Sequence, residues 1–314
     1  MTTVLPLGKQ QNRGKKFLIV VAGATAVGKT RVAIELAAHF ETEILSADSR
    51  QIYKEMNIGT AKPTTEELAA SPHHFVGCLS VQENFTAGDF EQQGIILLKH
   101  LFEKYNTVVL VGGTGLYIKA LCEGLDFYPD VPPHIRQNVA QTLATYGIES
   151  LQNELLQLDP LQYARMDIRN PQRLARAVEV CRAAGQPFSS FQNQPRAPRF
   201  FTPIYVHVEL PRAELYQRID ARVLQMMDDG LLEEAKTLYP FRHLNALQTV
   251  GYQEFFDYFD GKIRLEQAIA LVQQNSRRYA KRQLTWFKKD TQWQLFSPTN
   301  VENILHFIEK KKTP

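Results

Sequence analysis

A chain of 314 residues, 44% of them hydrophobic, is long enough for one large domain or two and too apolar to be disordered or fibrous. Its net charge of +3 is too small to imply a nucleic-acid partner by itself, so local clusters carry more weight than the sum. Cys78, Cys122 and Cys181 are odd in number and widely spaced, which points to neither a disulfide framework nor a zinc site; reduced core thiols are expected.

Residues 1–14 are polar, expected as a flexible tail, and no apolar signal segment follows them. No later stretch approaches membrane-spanning length, so a soluble cytoplasmic chain with no membrane partner is expected. The apolar run Phe17–Val21 has the length of a strand. It leads into Gly23-Ala24-Thr25-Ala26-Val27-Gly28-Lys29-Thr30, and Val32–Ala38 then has the apolar spacing of a helix. This is the pattern G-x-x-x-x-G-K-[ST] between strand and helix, the setting in which it cradles phosphate. Glycines let the backbone curl until its N–H groups face one anion, and the helix start adds a favourable dipole. Lys29 offers a charge to the terminal phosphates, and the Thr30 hydroxyl can ligate Mg²⁺. The loop is expected to bind a diphosphate or triphosphate.

Glu43–Ala47 and Thr107–Val111 read as further strands, with a helix over Phe90–Lys104 between them. Such alternation predicts an α/β fold, a parallel sheet flanked by helices with ligands at the carboxyl ends of its strands. Asp48-Ser49-Arg50-Gln51 follows the second strand, and Asp48 there could ligate magnesium, act as a general base or cap a helix. Gly112-Gly113-Thr114-Gly115 follows the third, where an ATP-hydrolysing motor would usually carry an acidic residue. No Asn-Lys-x-Asp segment occurs either. Both absences favour a transferase that uses the phosphate cradle for a substrate.

Asp126–Pro133 is a turn-rich linker, and helical pattern then runs to a break at Gln192–Pro195. The expected division is a core over 15–124, an all-helical insertion over 125–195, and core completion with C-terminal helices over 196–314. Five arginines fall within eighteen residues of the insertion, with Arg169, Arg173 and Arg176 spaced for one helical face and for phosphate-backbone contact. Ile204–Leu210 returns as a strand of alternating pattern, and Leu215–Leu238 is expected as one long amphipathic helix. On it Arg218 and Arg222 share a face, suited either to clamping an anion or to surface ion pairs with Asp220, Glu214 or Glu233. Last comes Arg277–Lys289, with six positive charges in thirteen residues in two rows, 277/281/288 and 278/282/289. Tyr279, Trp286 and Phe287 are interleaved, the pattern of a nucleic-acid surface, with Trp286 the foremost candidate for the core.

Taken together, GATAVGKT, DSRQIY, IGTAKP, GGTGLY, NPQRLARAVEV, TVGYQEF and RYAKRQLTWF resemble the tRNA dimethylallyltransferases, also called tRNA isopentenyltransferases, from about Phe17 to Trp286. The resemblance implies a P-loop kinase-like core with an insertion that embraces the tRNA anticodon stem-loop. It implies transfer of a dimethylallyl group from dimethylallyl diphosphate to N6 of adenosine 37 in tRNAs reading UNN codons. By the same resemblance Gly23 through Thr30 hold the diphosphate, Thr30 also holds Mg²⁺, and Arg222, with Arg218 as the alternative, completes the clamp. Asp48 is then the catalytic base toward the N6 amine, and Thr114 contacts the base from the other side. Ser49, Arg50, Gln51, Gln172, Arg173, Leu174, Ala175, Arg176, Thr249, Gly251, Tyr252, Arg277, Arg278, Lys281 and Arg282 match tRNA-contacting positions. His73 and His74 match a recurring pair, expected in a structural loop. No Cys/His set follows Trp286, as in the bacterial form without the zinc finger of eukaryotic relatives, and a monomer is expected.

A small-molecule or nucleotide kinase would share the fold and bind ATP, but leaves the basic aromatic C-terminal segment without a purpose. A non-catalytic RNA-binding module would have no need of Lys29, Thr30 and Asp48 together.

Overall fold

Phe17–Gly23 (β1) is buried along its whole length, as an inner strand of a parallel sheet must be when helices cover both faces. Its side chains alternate between two cores. Phe17, Ile19 and Val21 join one, and Leu18, Val20 and Ala22 join the other. In chain order there follow α1 (Lys29–His39), β2 (Ile44–Ser46), α2 (Thr65–Ala70), β3 (His73–His74), α3 (Ala87–Lys104), β4 (Thr107–Gly112) and α4 (Gly115–Glu123). The structure, a computed structural model, describes residues 14–313, so the tail expected over 1–14 lies outside the described residues apart from Gly14.

Residues Gly124–Pro198 form a unit of their own, built from α5 (Pro133–Tyr146), α6 (Ile148–Leu158), α7 (Pro160–Arg165) and α8 (Pro171–Ala184). Val139, Leu151, Leu155, Leu174, Ala177 and Val178 make its core. The remaining chain returns through β5 (Thr202–Val208), α9 (Arg212–Asp228), α10 (Leu231–Leu238), α11 (Gln253–Phe259), α12 (Leu265–Phe287), β6 (Gln294–Phe296) and α13 (Val301–Lys312). The sheet has six strands in the order β3-β2-β4-β1-β5-β6, every pair parallel. No helix among the described residues is long and apolar enough to cross a membrane.

The helix expected over Leu215–Leu238 breaks at Gly230, whose φ of 101° is left-handed backbone that separates α9 from α10. From Ile204 onward β5 is buried on both faces, so it does not alternate. His73 and His74 form a short edge strand on β2 rather than a loop, with His74 Nε2 2.6 Å from Glu43 Oε2. Cys122 and Cys181 are buried thiols, but Cys78 is exposed.

His207, opposite Ala22 in β5, is 1% exposed among Phe287 and Trp293, and its Nε2 has no partner among the described residues. Burial is the main force pushing its pKa down to about 4; Lys288 and Lys29 add to it, and Glu209 opposes. The unfolded chain therefore binds a proton between pH 6.5 and 4 that the folded chain refuses, so stability is lost as pH falls through that window. The loss is expected to reach about 3 kcal/mol. Urea unfolding at pH 7 and pH 4.5 checks it; His207→Phe should flatten that part of the profile, and an unchanged profile would remove His207 as its source.

Candidate active site

A cleft of about 660 Å³ opens where β1, β2 and β4 end, the location expected of ligands in parallel sheets. From β1 the chain passes into the phosphate-loop segment, of which Thr25, Ala26, Gly28, Lys29 and Thr30 line the cleft. Gly28 has φ 100° and stands at the N-cap of α1, so the helix start faces the cavity. Lys29 Nζ donates to Ala24 O at 2.9 Å. Burial pulls its pKa down to about 8, an effect opposed by Asp48 and reinforced by Arg222. A cation so poorly solvated is arranged to receive an anion.

Arg222 and Arg218, one turn apart on α9, separate in role. Arg218 donates to Glu214 Oε1 at 2.8 Å, an exposed pair on the helix surface. Arg222 lines the cleft, where it keeps contact with solvent while surrounding protein lowers its pKa through desolvation.

Asp48 follows β2 and also lines the cleft. Its Oδ1 accepts the backbone N–H groups of Arg50 at 2.9 Å and Gln51 at 3.2 Å, so it does cap, but it caps a turn and not a helix. Among the described residues no hydrogen bond falls on Oδ2. One oxygen holds the turn while the other is left for a ligand.

Thr114, expected against the base, is not among the cleft's lining residues. Its Oγ1 accepts the Ser49 N–H at 3.1 Å and donates to Ser49 Oγ at 3.3 Å. It therefore holds the turn that carries Asp48. Gln51 also lines the cleft, with its amide engaged: Nε2 donates to Thr60 O at 3.2 Å and Ala61 O at 2.9 Å. Arg50 lines the cleft with a guanidinium that makes no hydrogen bond among the described residues.

Thr249 and Gly251 line the far wall, but Gly251 N–H is taken by Glu254 Oε2 at 2.9 Å. Tyr252 is fully buried and offers no surface to a nucleic acid. Its hydroxyl donates to Glu234 Oε1 at 2.7 Å, and Glu234 also accepts the N–H groups of Asn57, Ile58 and Gly59 at 2.9, 2.9 and 3.0 Å. A Cβ on Gly59 would lie 2.6 Å from the Tyr252 ring. Tyr252 and Glu234 thus clamp the loop whose carbonyls hold Gln51.

The basic rows on α12 are also incomplete. Arg277 is paired with Asp220 on α9, and Lys288 lies 3.4 Å from Glu209. Arg278, Lys281 and Arg282 remain exposed. Trp286 is 40% exposed, and it is Phe287 that enters the core. In the helical unit Arg169 precedes α8, whose N-cap is Asn170, and it pairs with Asp167 at 3.2 Å, so it does not share a helix face with Arg173 and Arg176. Leu174 is wholly buried, which removes its side chain as a surface contact; Ala175 is half-buried against the same core, and Gln172 and Arg173 are exposed.

Gln283, not singled out from sequence, joins two loops: its Oε1 accepts Thr25 N–H at 2.9 Å and its Nε2 donates to Gly113 O at 3.1 Å. Its signal was present in the glycines of GGTG. A Cβ on Gly113 would lie 2.1 Å from Gln283 Nε2, and one on Gly115 would lie 2.1 Å from Trp286 Nε1.

A family model described as IPP transferase matches residues 51–290. The tRNA dimethylallyltransferase of Christiangramia forsetii is 51% identical over 296 residues, covering 94% of this chain and 98% of that protein. That of Cytophaga hutchinsonii is 48% identical over 296 residues, with 94% and 97% covered. Among solved structures, the tRNA isopentenylpyrophosphate transferase of Bacillus halodurans is similar with a TM-score of 0.71 at 35% identity, covering 95% of this chain and 97% of that one. A eukaryotic dimethylallyltransferase acting on tRNA gives a TM-score of 0.79 at 25% identity, covering 95% and 77%.

Proposed function

The chain belongs to the IPP transferase family and is a tRNA-modifying prenyltransferase; on that premise we propose that it moves a dimethylallyl group from dimethylallyl diphosphate to N6 of adenosine 37 in tRNAs reading UNN codons, in the cytoplasm. The observation that carries this reading is the convergence on one cleft of Lys29, Arg222 and the uncommitted oxygen of Asp48. A cradle for an anionic leaving group stands beside a base, and β4 ends at Gly112, followed by Gly113, with no carboxylate to direct water.

In the reaction N6 attacks C1 of the donor, the C1–O bond breaks, and its electron pair leaves on the diphosphate. Lys29 and Arg222 stabilise the negative charge that develops there. Asp48 Oδ2 orients the amine and takes its proton, because an aryl amine is a weak nucleophile that needs both positioning and a base. Adenosine 37 must be extruded from the anticodon loop to reach the cleft. Magnesium fits the donor set: Thr30 lines the cleft, and Mg²⁺ takes one or two protein oxygens alongside phosphate and water. When bound it neutralises part of the diphosphate charge.

On α12 the exposed Arg278, Lys281 and Arg282 support the tRNA reading; in the helical unit, taken by itself, Gln172 and Arg173 are exposed and Arg176 is half-buried 3.8 Å from Glu179. Lys281→Ala and Arg282→Ala are each expected to weaken tRNA binding and to reduce its salt slope by about one. Arg277→Ala should instead lower the melting temperature with little change in slope, because Asp220 loses its partner. Filter binding across a salt series decides it, and a full unit of slope lost in Arg277→Ala would put that residue back on the RNA.

The reading is tested with radiolabelled dimethylallyl diphosphate, Mg²⁺ and unmodified tRNA. Label is expected in the tRNA and should vanish when adenosine 37 is replaced by guanosine. Phosphate transfer from ATP without labelled tRNA would establish a kinase instead.

A further inference from the structure

We propose that Gln283 is a positioning residue for the transfer, a side chain that sets the donor loop at a fixed distance from the loop supporting the base. The inference rests on the function proposed above. Gln283 lies near the end of α12 and is 6% exposed. Its amide has one acceptor and one donor directed at backbone, and they go to different loops: Thr25 after β1 and Gly113 after β4. Neither partner is a neighbour in sequence, so the Gly113 loop cannot shift without breaking a buried hydrogen bond, nor the Thr25 loop without breaking a half-buried one.

The fit is built from both sides. Gly113 does not have left-handed backbone, so its lack of a Cβ serves space and not conformation, and that space is where Nε2 sits. Three residues on, Trp286 stands in the same relation to Gly115. Residues i and i+3 share a helix face, so one face of α12 docks onto the Gly-Gly-Thr-Gly segment. Between the two glycines is Thr114, which accepts the N–H of Ser49 beside Asp48. One amide therefore connects the loop that grips the diphosphate to the loop that supports the base. Reaction requires the amine, C1 and the leaving oxygen to align, and misplacement by about 1 Å can cost on the order of 100-fold in rate.

The test compares wild type, Gln283→Ala, Gly113→Ala and the double variant in steady-state transfer to unmodified tRNA. Affinity for magnesium pyrophosphate is measured by calorimetry and folding by thermal melting. Gln283→Ala is expected to lower kcat about 10- to 100-fold, with KM for tRNA and pyrophosphate affinity changed by no more than about threefold. Gly113→Ala displaces the amide and should show the same kcat loss. In the double variant the added methyl enters the vacated space, so kcat should be no lower than in Gln283→Ala alone. A double variant showing the product of the two losses, or a change confined to KM, overturns the proposal. If Gln283→Ala does not fold, Gln283→Glu decides: it keeps the acceptor for Thr25 but cannot donate to Gly113 O, so kcat must still fall. A wild type that transfers no dimethylallyl group would sink the proposed function itself, whereas active wild type with unaffected Gln283 variants sinks only this inference.

Discussion

Asp48→Asn is expected to lower kcat by about 10²- to 10⁴-fold, the range of a positioned general base, while tRNA affinity stays within about twofold. In the proposed reaction the two carboxylate oxygens have separate duties, and this substitution separates them. Oδ1 accepts Arg50 N–H and Gln51 N–H, both donors, so the asparagine must turn its carbonyl oxygen toward them. The turn then survives, with Ser49 still held by Thr114. The other position becomes an NH₂ group, which can neither take a proton from N6 nor accept its hydrogen bond. Asp48→Ala would lose the turn as well and confound the base with its support. Single-turnover transfer and filter binding on the asparagine variant settle the matter. Turnover within tenfold of wild type, or a loss of tRNA affinity as large as the loss of rate, removes Asp48 as the base.

The parts of this molecule legible from sequence are those where neighbours in the chain do the work. A buried strand, a glycine loop and a helix start fall within Phe17–His39, and periodicity alone reveals them. Asp48 was equally visible, but that its Oδ1 holds a turn while no hydrogen bond among the described residues falls on Oδ2 was not, since a cap and the proposed base make the same demand on residue type. What could not be seen depends on distant pairs. Tyr252 matches a tRNA-contacting stretch, yet it is buried because Glu234, eighteen positions earlier, needs its hydroxyl. Arg277 belongs to a basic cluster, yet Asp220 on another helix neutralises it. Trp286 and Phe287 are adjacent aromatics; the helix phase at the end of α12 sends Phe287 inward and leaves Trp286 at the surface beside Gly115. A glycine required for a left-handed turn announces itself locally. Gly113 is instead required by a side chain 170 residues away, and only the fold shows it.

Lys29→Met is expected to reduce kcat/KM for dimethylallyl diphosphate by about 10²- to 10³-fold, with tRNA affinity measured without donor unchanged. The size follows from how little else solvates this ammonium. One hydrogen goes to Ala24 O at 2.9 Å, which fixes the side chain across its own loop. Burial has already drawn the pKa down to about 8, against the pull of Asp48, so the charge is kept at a cost that a bound diphosphate would offset. In the proposed reaction an interaction prepared in this way strengthens as the C1–O bond breaks, because the leaving diphosphate gains charge that it lacks in the ground state. The effect should therefore fall on kcat as well as on donor binding. Methionine keeps the length and the apolar stem but supplies no charge, which confines the change to electrostatics. Lys29→Arg is not expected to rescue, since a planar fork cannot occupy the place of a point charge bonded to Ala24 O. Arg222→Met should move in the same direction by a smaller factor, because that guanidinium keeps solvent in the cleft and has less to gain from an anion. If Lys29→Met raised only KM and left kcat untouched, the lysine would hold the donor without assisting bond cleavage. The stabilisation of the departing diphosphate would then rest on Arg222.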